Sequence, residues 1–488
     1  MGEAYDDEWV FSTLSQAVRD GEAWTPERAE AGISPTVQGP LSGSGTVGGA
    51  SIVSAVKRIQ ALRGTEPGII EIKGWKIGGD LDFSSLIVQE ALVFRNCRMA
   101  VFRAQGSRLY DLRLDMCDVG DIRLNGARFE NDLMLRQCVV ATLWMEAMTV
   151  EGNLTVEDCQ VQTKGFAAGG RYERRVVWKD IQLGDGLDMS DCSFGSSVSM
   201  ERLASNGGAI SFDNAVVAGN LGFFGCALQK TELALGSMSV AHRLDLRETV
   251  SPPEKLFLTG SRVETFKDDR AAWPSRGHLH LDRFTYDRLS AENTMSRHVA
   301  WLMRQPADHL KGKNFRVQPW RQLIDFLKRR GSLEFARKLA IRQKDTMLGA
   351  GAHGWWISIV NFFLSVTCRY GLQPWLPVAW YGALVLASGF VFQKADMLGC
   401  IQAKAGAVTV PDAFNPLLYS LDLALPAIDL GQGDYYHAVS AGAGTAWYAT
   451  LVPYLPLYIA AHTLICWLLL SIIVLSFSGF VEKRLAVD

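Results

Sequence analysis

Residues 97–161 read CRMA VFRAQGSRLY DLRLDMCDVG DIRLNGARFE NDLMLRQCVV ATLWMEAMTV EGNLTVEDCQ V. Cys97, Cys117, Cys138 and Cys159 stand 20, 21 and 21 residues apart, and two places after each comes Met99, Val119, Val140 or Val161. A fixed period near 20 marks a stacked solenoid, in which each coil buries its apolar edge only against the next. Within the period a five-residue beat runs through Met99, Ala104, Leu109, Leu114, Val119, Leu124 and Phe129. Most positions two before these are small or apolar as well: Cys97, Phe102, Leu112, Cys117, Ile122 and Ala127. Four five-residue sides make one coil.

Outward from this stretch a second phrase recurs, Gly or a polar residue ahead of Leu-x-apolar. It stands at Gly79-Asp80-Leu81-Asp82-Phe83, Asn131-Asp132-Leu133-Met134-Leu135, Gly152-Asn153-Leu154-Thr155-Val156, Gly186-Leu187-Asp188-Met189, Gly219-Asn220-Leu221-Gly222-Phe223 and Arg243-Leu244-Asp245-Leu246. Short alternating runs with Gly, Asn or Asp at the corners read as short strands. The next cysteine spacings stretch to 33 (Cys192) and 34 (Cys226). That break predicts an insertion over 163–179, carrying Lys164, Arg171, Arg174, Arg175 and Lys179. The expected fold is mainly β, a right-handed parallel β-helix (a pentapeptide-like solenoid) over 68–267. Some nine coils about 4.8 Å apart give a column on the order of 40 Å tall.

Six of the nine cysteines fall in this region and read as small inward side chains, since free Cys is among the most buried residue types. An odd count without a signal peptide argues against a disulfide framework, and no C-x-x-C cluster suggests a metal site.

Net charge is −2, so neither nucleic acid nor an acidic substrate is implied globally. The C-terminal third differs. Residues 374–392 form an uncharged apolar run of 19 residues, about 28 Å as a helix and enough for one bilayer crossing. Residues 447–480 form a second, 34 long, and Pro453 and Pro456 place its crossing near 457–478. The Trp-rich 354–368 is shorter and reads as an interfacial helix. Between 311 and 345 eleven Lys/Arg face only Asp325, Glu334 and Asp345, and Lys483-Arg484 follow the second span, whereas loop 393–446 holds two Lys and five Asp. The positive-inside rule then puts both termini and the β-helix in the cytosol of a multi-pass inner-membrane protein. The lack of an N-terminal apolar segment agrees.

Between column and spans, 319–331, ending at Gly331, and 333–340 read as an αα-hairpin with a Gly turn, similar to one tetratricopeptide unit. Its basic residues, Arg321, Lys328, Arg329, Arg330, Arg337 and Lys338, are candidates for contact with anionic lipid at the inner face, each adding about 1 kcal/mol near the surface. The expected boundaries are an N-terminal segment with Gly/Ser linker (1–50), a capping helix (51–67), the β-helix (68–267), a helical coupling region (268–350) and the membrane region (351–488).

The Gly-Asp-Leu-x-Phe repeats, the helix start Phe315-Arg316-Val317-Gln318-Pro319-Trp320 and the loop phrase Tyr419-Ser420-Leu421-Asp422-Leu423-Ala424-Leu425-Pro426-Ala427-Ile428-Asp429-Leu430-Gly431-Gln432 resemble a bacterial family that joins a pentapeptide-like β-helix to a two-span membrane tail. The resemblance runs from about residue 68 to the end. Some members carry the label "membrane-associated oxidoreductase", so the resemblance also implies redox activity.

The residues offer little for such chemistry. Gly43-Ser44-Gly45-Thr46-Val47-Gly48 matches G-x-G-x-x-G, but a dinucleotide site needs a hydrophobic strand before the first glycine. The preceding Ser34-Pro35-Thr36-Val37-Gln38-Gly39-Pro40 has linker composition, so no cofactor is expected. His278 and His280 alternate on a short strand and read as sharing a face, with no metal. The loop phrase also resembles in outline the pore helix and filter of two-span cation channels, with Ser420, Asp422, Asp429, Gln432 and Asp434 as candidate pore residues. The potassium-filter sequence is absent, and an amphipathic helix on the outer face remains the alternative. Three functions stay open: a non-catalytic membrane-anchored platform binding a protein partner at the basic segment, an oligomeric cation channel, and the oxidoreductase of the family label.

Overall fold

The computed structural model describes residues 4–5, 7–19, 36–38, 46–63, 68–290, 294–349, 355–403, 413–426, 428–439 and 453–478. It divides into two compact units: residues 1–310 with 316–336, and residues 311–315 with 337–488.

The first unit is a parallel β-solenoid of about 10 turns over residues 69–289. Coils near residue 100 are made of two long strands, such as Arg98–Arg103 and Arg108–Asp115. Later coils break into shorter ones, as at Gln160–Val161, Gly165–Phe166, Arg171–Tyr172 and Val176–Lys179. The five-residue beat marks the interior: Met99, Ala104, Leu109, Leu114, Val119, Leu124 and Phe129 are all buried. Corners need left-handed backbone. A vertical row at one corner includes Gly106, Gly126, Ala147, Gly169 and Asp191, and another includes Met116, Gln137, Asp158, Asp180 and Arg202, all at positive φ. Gly106 and Gly126 adopt it without the Cβ penalty that Ala147 and Met116 carry.

The segment 163–179 is not an insertion. Leu143–Trp144, Gly165–Phe166 and Leu187–Asp188 pair in register, as do Leu154–Glu157, Val176–Lys179 and Val198–Glu201. What changes is coil length. Successive register partners Arg108, Arg128, Thr149, Arg171, Ser193, Val216, Ser239, Arg262 and Thr285 lie 20, 21, 22, 22, 23, 23, 23 and 23 residues apart. The cysteine ladder stays in line above Cys159. Backbone bonds place Ile181, Leu203 and then Cys226 on its next rungs, while Cys192 belongs to a different vertical row with Met148, Gly170 and Ala215. The thiols hydrogen bond to backbone carbonyls, Cys138 to Leu114 at 3.3 Å and Cys226 to Met200 at 3.4 Å. Burial pushes the Cys192 and Cys226 thiols up to about 12 and about 11, far from the thiolate that reactivity requires.

The sheets extend past 68–267 at both ends. Thr46–Gly48, expected within a linker, is a strand paired with Lys76–Asp82, and Ala4–Tyr5 pairs with it in turn; residues 43–45 lie outside the described residues. Thr36–Gln38 pairs with Ile69–Lys73. At the far end Leu279–His280 and Thr285–Ser290 complete a coil that the sequence reading gives to the coupling region. Helices close both ends, as an open solenoid needs. At the start α1 (Asp7–Arg19) buries Val10 and Leu14, and α2 (Gly49–Arg63) buries Ile52, Val53, Val56 and Ile59. At the finish stand α3 (Met295–Leu302) and α4 (Gln318–Arg329). The Phe326 ring of α4 meets Tyr286 edge-on at 5.9 Å, and its Gln318 and Gln322 side chains donate to the carbonyls of Phe284 and Tyr286. Helix α5 (Leu333–Gly349) begins after Gly331, whose φ of 80° makes the turn.

The second unit contains α6 (Trp355–Thr367), α7 (Trp375–Met397), α8 (Pro416–Ala424) and α9 (Leu455–Phe477). Helices α7 and α9, each 23 residues, are long and apolar enough to cross a membrane, and only 28% and 22% of their apolar windows are buried. Large side chains such as Trp375, Leu386, Phe390, Leu464, Leu468 and Val474 are exposed, which fits lipid contact. α6 likewise exposes Trp356, Ile359, Phe362 and Phe363. Two short strands, Ile401–Ala403 and Tyr436–Ala438, pair antiparallel in the loop between α7 and α9.

Candidate functional sites

The loop between the apolar helices folds against them. Gly389 of α7 lets α8 approach so closely that an added Cβ would lie 3.4 Å from the Leu417 Cα. Ser420 of α8 is buried and donates to the Val385 carbonyl at 2.9 Å. With the Nε2 tautomer, His462 of α9 donates to the Ser420 carbonyl (3.2 Å), and its Nδ1 accepts from the Ser388 hydroxyl (2.9 Å). Ser388 in turn contacts the Tyr458 hydroxyl at 2.8 Å. These bonds tie α7, α8 and α9 together with the Ser388, Ser420 and His462 side chains all partnered, the condition for polar atoms among apolar helices. Replacing His462 by alanine removes the side-chain donor to the Ser420 carbonyl and leaves the Ser388 hydroxyl only Tyr458 as a partner. The expected cost is about 1–3 kcal/mol, seen as a lower midpoint in denaturant titration of the detergent-solubilised protein, while Leu464→Ala on the exposed face leaves the midpoint unchanged.

Asp422 caps a turn. Its carboxylate accepts the backbone N–H groups of Leu430 (2.7 Å), Gln432 (2.9 Å) and Gly433 (2.6 Å). Burial acts to raise this carboxyl, yet the three N–H donors hold it below the usual range. Gln432 is buried and accepts from the Asn415 backbone N–H at 3.2 Å. Ser420, Asp422 and Gln432 therefore bond within the chain, while Asp429 and Asp434 are exposed and Asp429 accepts from the Gly431 N–H.

The five basic residues of 164–179 are spread around one coil. Lys164 lies over the Phe166 ring at 5.2 Å and pairs with Asp188 at 3.7 Å; Lys179 pairs with Glu157, and Arg171 with Glu173 at 3.5 Å. Arg174 and Arg175 are exposed and enter no ion pair among the described residues. They contrast with a wall whose charges mostly pair, many of them from coil to coil, as in Arg98–Asp118, Arg108–Glu130, Arg128–Glu151, Arg202–Asp180 and Lys255–Glu232.

All six basic residues proposed for the hairpin are exposed. Lys328 pairs with Asp325 and Arg329 with Asp287, while Arg330 turns to a different surface. It lines a cleft of about 820 Å³ at the finishing end of the solenoid, which the sequence reading missed. Arg243, Lys267, Arg270, Arg288, Arg297 and Arg330 surround it, against Asp268 and Asp269. Register stacks Arg243, Thr265 and Arg288 in one vertical row. Arg270 comes from the turn after the strand, Arg297 from α3 and Arg330 from the end of α4.

Asp268 is buried. It accepts from Arg297 at 2.8 Å and from the Trp273 indole at 2.6 Å. Asp269 accepts the backbone N–H groups of Ala272 and Glu248. The concentration of cations reaches inward: burial, then Arg297 and Arg330, push the His298 imidazole down to about 4. His280 stacks on Phe257 at 4.4 Å, and among the described residues no group of three or more His, Cys, Asp or Glu side chains is placed to hold a metal ion.

Comparison with family models, curated proteins and solved structures returned no match to this chain. A parallel β-solenoid joined to two candidate membrane helices nevertheless fits a membrane-anchored β-helix.

Proposed function

We propose that this chain is a non-catalytic platform of the cell inner membrane, whose solenoid binds a protein partner on the cytosolic side. The observation that carries the reading is the pair Arg174 and Arg175, exposed and unneutralised on a wall where most charges are paired. Unpaired arginines on a rigid column suit an acidic partner surface, because the guanidinium fork meets carboxylates two bonds at a time and a solenoid offers an extended face. Cytosolic placement rests on the eleven Lys/Arg before the first apolar helix and the Lys483-Arg484 pair after the second.

Charge reversal of Arg171, Arg174 and Arg175 to glutamate is expected to abolish recovery of the partner in crosslinking and pull-down from native membranes, with unfolding of the column unchanged. Undiminished recovery overturns the reading. In the channel alternative Asp429 and Asp434 are the exposed carboxylates that could face an ion, since Asp422 is held by three backbone N–H groups. The oxidoreductase label of the resembling family finds no cluster among these sites to support it.

A further inference from the structure

We propose that the cleft at the finishing end of the solenoid binds a ligand carrying clustered phosphates, through Arg243, Lys267, Arg270, Arg288 and Arg330. Four observations support this.

The first is uncompensated charge. Six basic side chains line the cleft against two carboxylates, and both carboxylates are engaged: Asp268 by Arg297 and Trp273, Asp269 by backbone N–H groups. Arg243, Lys267, Arg270 and Arg330 enter no ion pair among the described residues, and Arg288 reaches Glu264 only at 4.0 Å. On a column that pairs most of its charges, such a concentration of like charge is destabilising by itself and is relieved by an anion.

The second is the kind of cation. Five of the six are arginines, whose planar fork matches phosphate oxygens bidentately. Third, the cations converge from separate elements on one concave site. Arg243 and Arg288 stand in one row two coils apart, about 10 Å, with Thr265 between them to offer a hydroxyl. That spacing suits two phosphates of one ligand rather than one carboxylate. Arg297 is fixed by Asp268, so the floor is set while the rim arginines remain free to close on the ligand.

The fourth observation concerns the remainder of the ligand. Among the described residues Leu289 is the sole apolar one in the lining and no aromatic ring borders the cleft, the nearby Trp273 being buried. The site therefore reads phosphate and offers no surface on which a base would stack. A single strand needs a track of cations with stacking platforms and a duplex a row of cations along its backbone; here the cations gather at one end of the column. The same chemistry comes from a soluble polyphosphate or from a phosphorylated lipid headgroup.

The test uses the full-length protein in neutral detergent. Isothermal titration with sodium tripolyphosphate is expected to show saturable binding that weakens steeply as salt rises, with sulfate binding far more weakly. The double variant Arg243→Gln/Arg288→Gln is expected to lower affinity roughly tenfold or more, whereas Arg174→Gln/Arg175→Gln on the column wall leaves it unchanged. Short-chain diacylglycerol pyrophosphate supplies the lipid arm: tighter binding than tripolyphosphate assigns the site to a headgroup, and weaker binding assigns it to a soluble ligand. Absence of binding by both probes, equal binding of sulfate, or unchanged affinity in the double variant overturns the proposal. Should that variant fail to fold, Lys267→Gln/Arg330→Gln gives the same reading from the other wall.

Discussion

Replacing Trp178 with alanine is expected to remove about 3–5 kcal/mol from the solenoid and to open it near its middle. The side chain is fully buried and stands in register between Val156 below and Met200 above. Its loss leaves a cavity that neither neighbour fills, because both are held by parallel ladders on two sides. In a quasi-one-dimensional stack each coil is stabilised only by its neighbours. Damage to this coil should therefore uncouple the coils before it from those after it. Hydrogen exchange on the full-length protein checks this: amides over 154–201 lose protection first, and unfolding splits into two transitions. The same experiment on Cys138→Ala gives the contrast. Cys138 is a buried thiol bonded to a carbonyl, so its replacement trims one small group and should cost about 1 kcal/mol, with the cooperative transition retained. A large loss at Cys138 and a small one at Trp178 would overturn the assignment of the thiols to packing.

The second large effect concerns the membrane. Leu464 and Leu468 lie on one face of α9 and are 61% and 52% exposed. In water an exposed Leu→Arg change is nearly neutral. At the centre of a bilayer-spanning helix arginine costs about 2.5–3.5 kcal/mol by insertion scales. Leu464→Arg and Leu468→Arg together are therefore expected to shift most of the protein out of the membrane fraction after alkaline extraction, or to remove it by degradation. The same substitutions at exposed solenoid positions, Val216 and Val250, should leave membrane association intact. Recovery of the α9 double variant in the membrane at the parental level would count against the span.

Much of the solenoid was legible because a stacked coil returns the same inward position at almost constant contour length. That is why Cys97, Cys117, Cys138 and Cys159 announce it. The apparent break after Cys159 misled for a physical reason: this inward apolar position takes Cys in some coils and Ile or Leu in others. Ile181 and Leu203 therefore hid the ladder, and Cys192, on another row, mimicked a rung. The strands at Ala4–Tyr5, Thr36–Gln38 and Thr46–Gly48 are two or three residues long. Runs so short show no alternation, and their pairing comes from the coil above. The apolar helices were legible from length and charge alone. The capping role of Asp422 was not, since its partners are backbone N–H groups, which leave no trace in composition. The cleft was invisible for a similar reason: its cations are drawn from 243 to 330 and meet only through the register of the last coils and the placing of α3 and α4.

From Arg108 onward the lengthening from 20 to 23 residues per coil adds about 10 Å of contour. Coils of different length thus differ in girth, and the floors are not interchangeable. A short coil laid on a long one leaves part of the longer ladder unpaired, so each coil carries information about where in the stack it belongs. A uniform repeat would let strands slip by a whole floor at little cost. The change in girth penalises such slips and confines any gain or loss of whole coils during evolution to neighbours of equal girth.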